Sequence, residues 1–165
     1  MDEPLADDGS QMVRYSEAAA AVVRAADTDA VLEFRLRDGP GPCNRNVLEM
    51  MGLQRASATA GLSQSYRVRG ADRDILAGEV VRAWTELGAT PQTQDPEEAG
   101  GARAWVRIGD SGEVSILAAR QEDGSVVVLI SGTTGCVRGP VDLDRDRFWE
   151  QVDPDGEVVQ RGSGS

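Results

Sequence analysis

The chain has 165 residues, with 17 Arg against 28 Asp and Glu, a net charge of −11, and neither Lys nor His. The missing His excludes Ser-His-Asp and Cys-His nucleophile pairs, a His general base and His metal ligands, and the missing Lys excludes a P-loop lysine, a Schiff base and a Ser-Lys dyad. The length suits one domain, the 40% hydrophobic and 4% aromatic content asks for an aliphatic core, and the negative balance disfavours nucleic acid and anionic lipid as partners.

Residues 1–13 (MDEPLADDGSQMV) are acidic with little apolar period, so they are expected to be a disordered leader. Ser16 reads as an N-cap, and Ala19, Val22, Val23 and Ala26 fall at helical spacing, predicting a helix over 16–27. Residues 31–37 alternate. Leu32, Phe34 and Leu36 are predicted to face the core, and Glu33, Arg35 and Arg37 to face solvent. Asp38-Gly39-Pro40-Gly41-Pro42 ends that strand just before Cys43.

Residues 44–62 give no clear period. Their Met50-Met51 pair reads as core filler more readily than as a soft binding surface. A strand is predicted over 65–69, with Tyr66 and Val68 on one face. A helix follows over 73–87, capped by Asp72 and stopped at Gly88, with Ile75, Leu76, Val80, Trp84 and Leu87 as its stripe. Trp84 at a stripe position reads as core rather than as a ligand platform.

Residues 90–94 suit a short strand, and 95–101 an acidic, flexible break. A three-stranded meander is predicted over 103–108, 113–120 and 125–131, with Asp123-Gly124 as a hairpin signal. The unbroken run Val126–Ile130 suggests a central strand covered on both faces. Residues 140–165 are expected to be an acidic, partly disordered extension, with a short helix near Phe148 and Trp149 and a final Ser/Gly tail resembling a cloning remnant. The predicted fold is α+β, a two-layer sandwich over 14–139 with two or three helices on one face of a mainly antiparallel sheet.

Motifs that carry chemistry are weak. Asp142, Asp144 and Asp146 match the first ligand spacings of a calcium loop, but Arg147 stands at the turn glycine, so a solvated acidic segment is favoured and no metal or cofactor is expected. Glu97-Glu98 and Glu122-Asp123 sit in loops rather than in apolar pockets that would raise a pKa. Gly109-Asp110-Ser111-Gly112 matches no nucleophile elbow. Ser131-Gly132-Thr133-Thr134-Gly135 offers backbone N–H groups to an anion, but reads better as a turn delivering Cys136. Arg67, Arg69 and Arg73 form a basic cluster suited to a carboxylate or to surface ion pairs.

No stretch has the roughly 18 apolar residues of a membrane span, and the acidic start does not read as a signal peptide. That leaves a cytosolic protein or the mature portion of an exported one. Cys43 and Cys136 are too few for a zinc site and belong to no CxxC motif. Two unrelated buried thiols and one disulfide both remain open, the disulfide being favoured in an exported chain.

The segments Val128–Cys136 (VLISGTTGC) and Asp38–Cys43 (DGPGPC) resemble those of small exported actinobacterial lipoproteins of the LppA-like type. The likeness covers about residues 16–138. It implies export, anchoring through an N-terminal lipid-bearing Cys absent from this sequence, and a disulfide between Cys43 and Cys136. It supplies no catalytic residues. The expectation is therefore a non-enzymatic, membrane-tethered or secreted extracytoplasmic domain that binds a protein or envelope component. The membrane is touched only through that anchor, and nucleic acid is not a partner. The alternative is an immunity or inhibitor protein that neutralises a secreted toxin or enzyme through its acidic surface.

Overall fold

A computed structural model of the chain describes residues 4–42, 57–138 and 159–161. Helix α1 (Pro4–Ala26) leads into strand β1 (Val31–Pro42). Strand β2 (Ser57–Val68), helix α2 (Arg73–Glu86), strand β3 (Gln92–Gln94) and the single-turn helix α3 (Pro96–Ala99) follow. Strands β4 (Ala102–Ile108), β5 (Gly112–Arg120) and β6 (Val126–Thr133) form the meander. The two short strands β7 (Val137–Arg138) and β8 (Val159–Arg161) end the order.

The sheet runs β3-β4-β5-β6-β2-β1-β8, with β7 pairing to the far end of β2. The six strands from β3 to β1 are antiparallel, and only β8 joins in parallel, on β1. Helices α1 and α2 pack together over one face, which gives the expected α+β architecture. The meander is as the alternation predicts: Ala104, Val106, Val114, Ile116, Ala118, Val128 and Ile130 are buried against the helices. Trp84 is fully buried there, and its Nε1–H donates to the Tyr15 carbonyl at 2.9 Å, joining α2 to α1.

Four expectations are corrected. The leader is not disordered from residue 4 onward: α1 begins at Pro4, a residue whose fixed φ suits the first helical turn. Its buried stripe is Gly9, Met12, Val13, Ser16, Ala19, Ala20 and Val23. Ser16 is therefore a mid-helix residue with 0% exposure rather than a cap, and its polarity conceals the upstream half of the stripe.

Second, the faces of β1 exchange partway along. Leu32 pairs with Tyr66 and Phe34 with Ser65, so Glu33 is a bulge with no partner of its own in the ladder. One extra residue moves every later side chain to the opposite face. Phe34 is accordingly 41% exposed, and Arg35, opposite Gln64, is 2% exposed.

Third, β6 is central, between β5 and β2, yet only one face is sealed; Val127 and Leu129 remain half-buried on the other. Fourth, the acidic break at 95–101 contains α3, capped by the Asp95 carboxylate, which accepts from the Glu97 N–H at 2.9 Å. In the C-terminal extension, residues 159–161 form β8. The Met50-Met51 pair, the Asp142–Asp146 triplet, Phe148, Trp149 and Cys43 lie outside the described residues.

Candidate binding surface

The antiparallel registers line up side chains on the sheet face that the helices leave uncovered. One cross-strand row is Phe34, Ser65, Leu129, Leu117 and Arg103. The next is Leu36, Ser63, Ser131, Ser115 and Trp105, three small hydroxyls between two large apolar ends. Val31, Arg67, Val127 and Ala119 form a third row, and Thr133, Glu113 and Arg107 a fourth. The burial alternation along β4, β5 and β6 places these residues opposite the core set. Val31 at 58% exposure and Phe34 at 41% are among the few exposed large hydrophobics.

Two arginines hold the rim of this surface. Arg103 stacks over Trp105 with its guanidinium carbon 4.5 Å from the ring centroid. It also donates to Gln94 Oε1 at 3.2 Å and faces Glu113 at 3.6 Å. This fixes the plane of the indole on the open face. Arg67 donates to Glu33 Oε2 through both Nε and Nη2, each at 3.2 Å, and to Ser125 Oγ at 3.1 Å. These ion pairs are partly solvated, so their value is orientation more than stability.

Arg67, Arg69 and Arg73 come near one another, as their spacing suggested, but they do not converge on an anion site. Two shallow grooves of about 390 and 600 Å³ meet at Gly124, at the end of the sheet. Arg69 and Asp123 line the first, and Asp72, Arg73, Asp74 and Arg120 the second. The signs alternate, and Arg73 already faces Asp74 at 3.7 Å. Asp123 is held below the ordinary carboxylate range, first by the Ser125 hydroxyl and N–H that donate to it, then by Arg67 and Arg69. Its role is to close the β5–β6 turn, where Gly124 takes φ +86°.

The other sequence candidates remain scattered. Glu97 and Glu98 are exposed on α3, and Ser111 lies in the exposed β4–β5 turn, its Oγ 3.5 Å from the Cys136 carbonyl oxygen. Thr134 is buried, its hydroxyl accepting from the Ala60 N–H at 3.0 Å and its own N–H donating to the Ala60 carbonyl at 2.9 Å. The expected turn is not found: β6 and β7 both run antiparallel to β2, so residues 134–136 carry the chain onward along that strand. Cys136 is exposed just before β7. No group of three or more metal-ligating side chains occurs among the described residues.

Two features escaped the sequence reading. The outward side of Trp105 and Arg107 was legible in the alternation, and Arg103, two residues before Trp105, shares that side, but the serine row depends on strand order. The inward Arg35 depends on a bulge that no residue type announces. No described helix is long and apolar enough to cross a membrane. No family model matches the chain, and no curated protein and no solved structure matches it either.

Proposed function

We propose that this chain is a non-enzymatic binding domain of the LppA-like lipoprotein type. It is displayed outside the cytoplasm and engages a protein partner, free or in the envelope, through its open sheet face. The observation that carries the reading is the one-sided sheet, whose uncovered face combines Trp105, Leu117, Leu129 and Phe34 with a small-residue serine row. Five strands spaced about 4.8 Å and four rows spaced about 6.7 Å make a patch of roughly 600 Å² in plan. With side-chain relief this approaches the roughly 800 Å² per partner of a standard protein interface. Aromatic and arginine residues at its edge are the types that dominate such interfaces.

Export rests on the disulfide between Cys43 and Cys136. Pro42 and Val137, the neighbours of the two cysteines, flank the same residue, Ala58, on its two sides. The chain has two cysteines, so each has only the other as a partner within the chain. Both observations support the pairing, and mass measurement with and without reductant tests it. A mass unchanged by alkylation under denaturing, non-reducing conditions is expected; two alkylated thiols would remove the argument for export.

The binding role is tested by capture from envelope extracts with wild-type protein and with Trp105→Ala/Leu129→Ser on the open face. A partner retained by the first and lost by the second is expected. Equal retention would place the interface elsewhere. The net charge of −11 favours a second reading, an inhibitor or immunity protein for a basic toxin; tight, salt-sensitive binding insensitive to the open-face changes would select it.

A further inference from the structure

We infer, resting on the reading of the open sheet face as the binding surface, that its partner is a second copy of this chain. The two copies dock face to face about a two-fold axis that runs across the strands, between the Leu129 row and the Ser131 row.

A two-fold axis brings one patch against itself, so the patch must complement its own rotated image. Rotation about an axis lying across the strands keeps each strand over its own counterpart and reverses its direction. It therefore exchanges the row Phe34, Ser65, Leu129, Leu117 and Arg103 with the row Leu36, Ser63, Ser131, Ser115 and Trp105. The exchange pairs unlike sizes at the centre of the face. Leu129 of one copy stands over Ser131 of the other, and Leu117 over Ser115, so each leucine fills the trough that a serine leaves. At the β1 end Phe34 meets Leu36, both apolar. At the β4 end Arg103, already held 4.5 Å from the ring centroid of its own Trp105, comes over the indole of the second copy. Packed sheets keep their strands within about 30° of one another, so the match is tightest at β5 and β6, in the middle of the patch.

Charge selects the same face. The chain carries −11, so two copies repel over most of their surface. The open face is the exception: among its described side chains, Arg67, Arg103 and Arg107 outnumber Glu33 and Glu113. The rotation also keeps like charges of this set apart. Arg67 falls over Gly61, and Glu113 over Ala119. Arg107 falls over Gly101, two residues before Arg103. A patch of roughly 600 Å² in plan, below the roughly 800 Å² per partner of a standard interface, suits a reversible dimer rather than an obligate one.

The test is the mass of the chain in solution. Sedimentation equilibrium at neutral pH, over about 1–100 μM, spans the dissociation constants expected of an interface this size. Wild type, Leu129→Ser, Ser131→Leu and the double exchange are compared, each checked for the wild-type circular dichroism spectrum. The wild type is expected to pass from monomer to dimer over that range. Each single change is expected to raise the dissociation constant at least about a hundredfold, since the axis applies it twice. The double exchange restores leucine over serine with the sides swapped, and is expected to return to within about tenfold of wild type. A wild type that stays monomeric overturns the inference, as does a dimer indifferent to the single changes or one that the double exchange fails to restore. Where a variant loses the wild-type spectrum, Leu117→Ser, Ser115→Leu and their double take its place with the same decision. The binding-surface reading is judged separately. A monomeric wild type that still captures an extract partner, lost in Trp105→Ala/Leu129→Ser, keeps that reading and discards the second copy; a monomer with equal retention discards both.

Discussion

Replacing Trp84 by Ala tests whether the α1–α2 joint is part of the core. Trp84 has 0% exposure, belongs to the central cluster and donates its indole N–H to the Tyr15 carbonyl at 2.9 Å. Truncating a buried aromatic to Ala costs about 3–5 kcal/mol, mostly lost transfer energy and an unfilled cavity. A domain of ordinary stability has about 5–15 kcal/mol in total. Trp84→Phe keeps most of the apolar surface and removes the donor. The Tyr15 carbonyl lies inside α1 and keeps its place in the helical ladder, so that loss is expected near the low end, about 1–2 kcal/mol. Guanidinium unfolding at neutral pH without reductant, followed by far-UV circular dichroism, reads both changes. Thermal midpoints should fall by about 10 °C for Ala and about 4 °C for Phe. Amides of α1 should lose hydrogen-exchange protection in the Ala variant before those of β5. An Ala variant destabilised by less than about 1.5 kcal/mol, or a Phe variant as damaged as the Ala variant, would refute the reasoning.

Two further outcomes follow from local geometry. At Gly112 a β-carbon would stand 2.7 Å from the Thr133 carbonyl oxygen and 2.9 Å from that of Ile108, both backbone atoms. Gly112→Ala is therefore expected to cost about 1–3 kcal/mol, read as a lower denaturation midpoint; a neutral result would mean that the β4–β5 corner yields more than its packing implies. Asp123 has its pKa lowered in the folded chain, so it contributes stability above its unfolded value that is lost as pH falls through the folded value. Stability measured down the acid limb should decline less steeply for Asp123→Asn than for the wild type, and a carboxyl NMR titration should show Asp123 ionising below an ordinary aspartate. Parallel acid limbs would remove Asp123 from the account.

How much was legible depends on how local each signal is. Asp72 caps α2 through side-chain bonds to the N–H groups of Asp74 and Ile75, and Asp123-Gly124 turns the β5–β6 hairpin; both are decided within four residues. Strict alternation from Ala104 to Ile130 placed the inward side of the meander, because a period of two admits only two faces. Ser16 misled for the same local reason: a hydroxyl before an apolar run is a good cap, and only the packing of Met12 against β6 shows the helix continuing through it.

Composition and short-range pattern thus determined the class of fold, the helix-covered face, the aliphatic core and the absence of histidine and lysine chemistry. Tertiary structure alone decided which residues meet across strands. Strand order assembled Ser63, Ser131 and Ser115 into one row with Trp105 at its end, and the unpaired Glu33 turned Arg35 inward beside Gln64. The physical reason is that register is a relation between segments distant in the chain, and a single bulged residue reverses every face after it without altering the alternation from which that face was read.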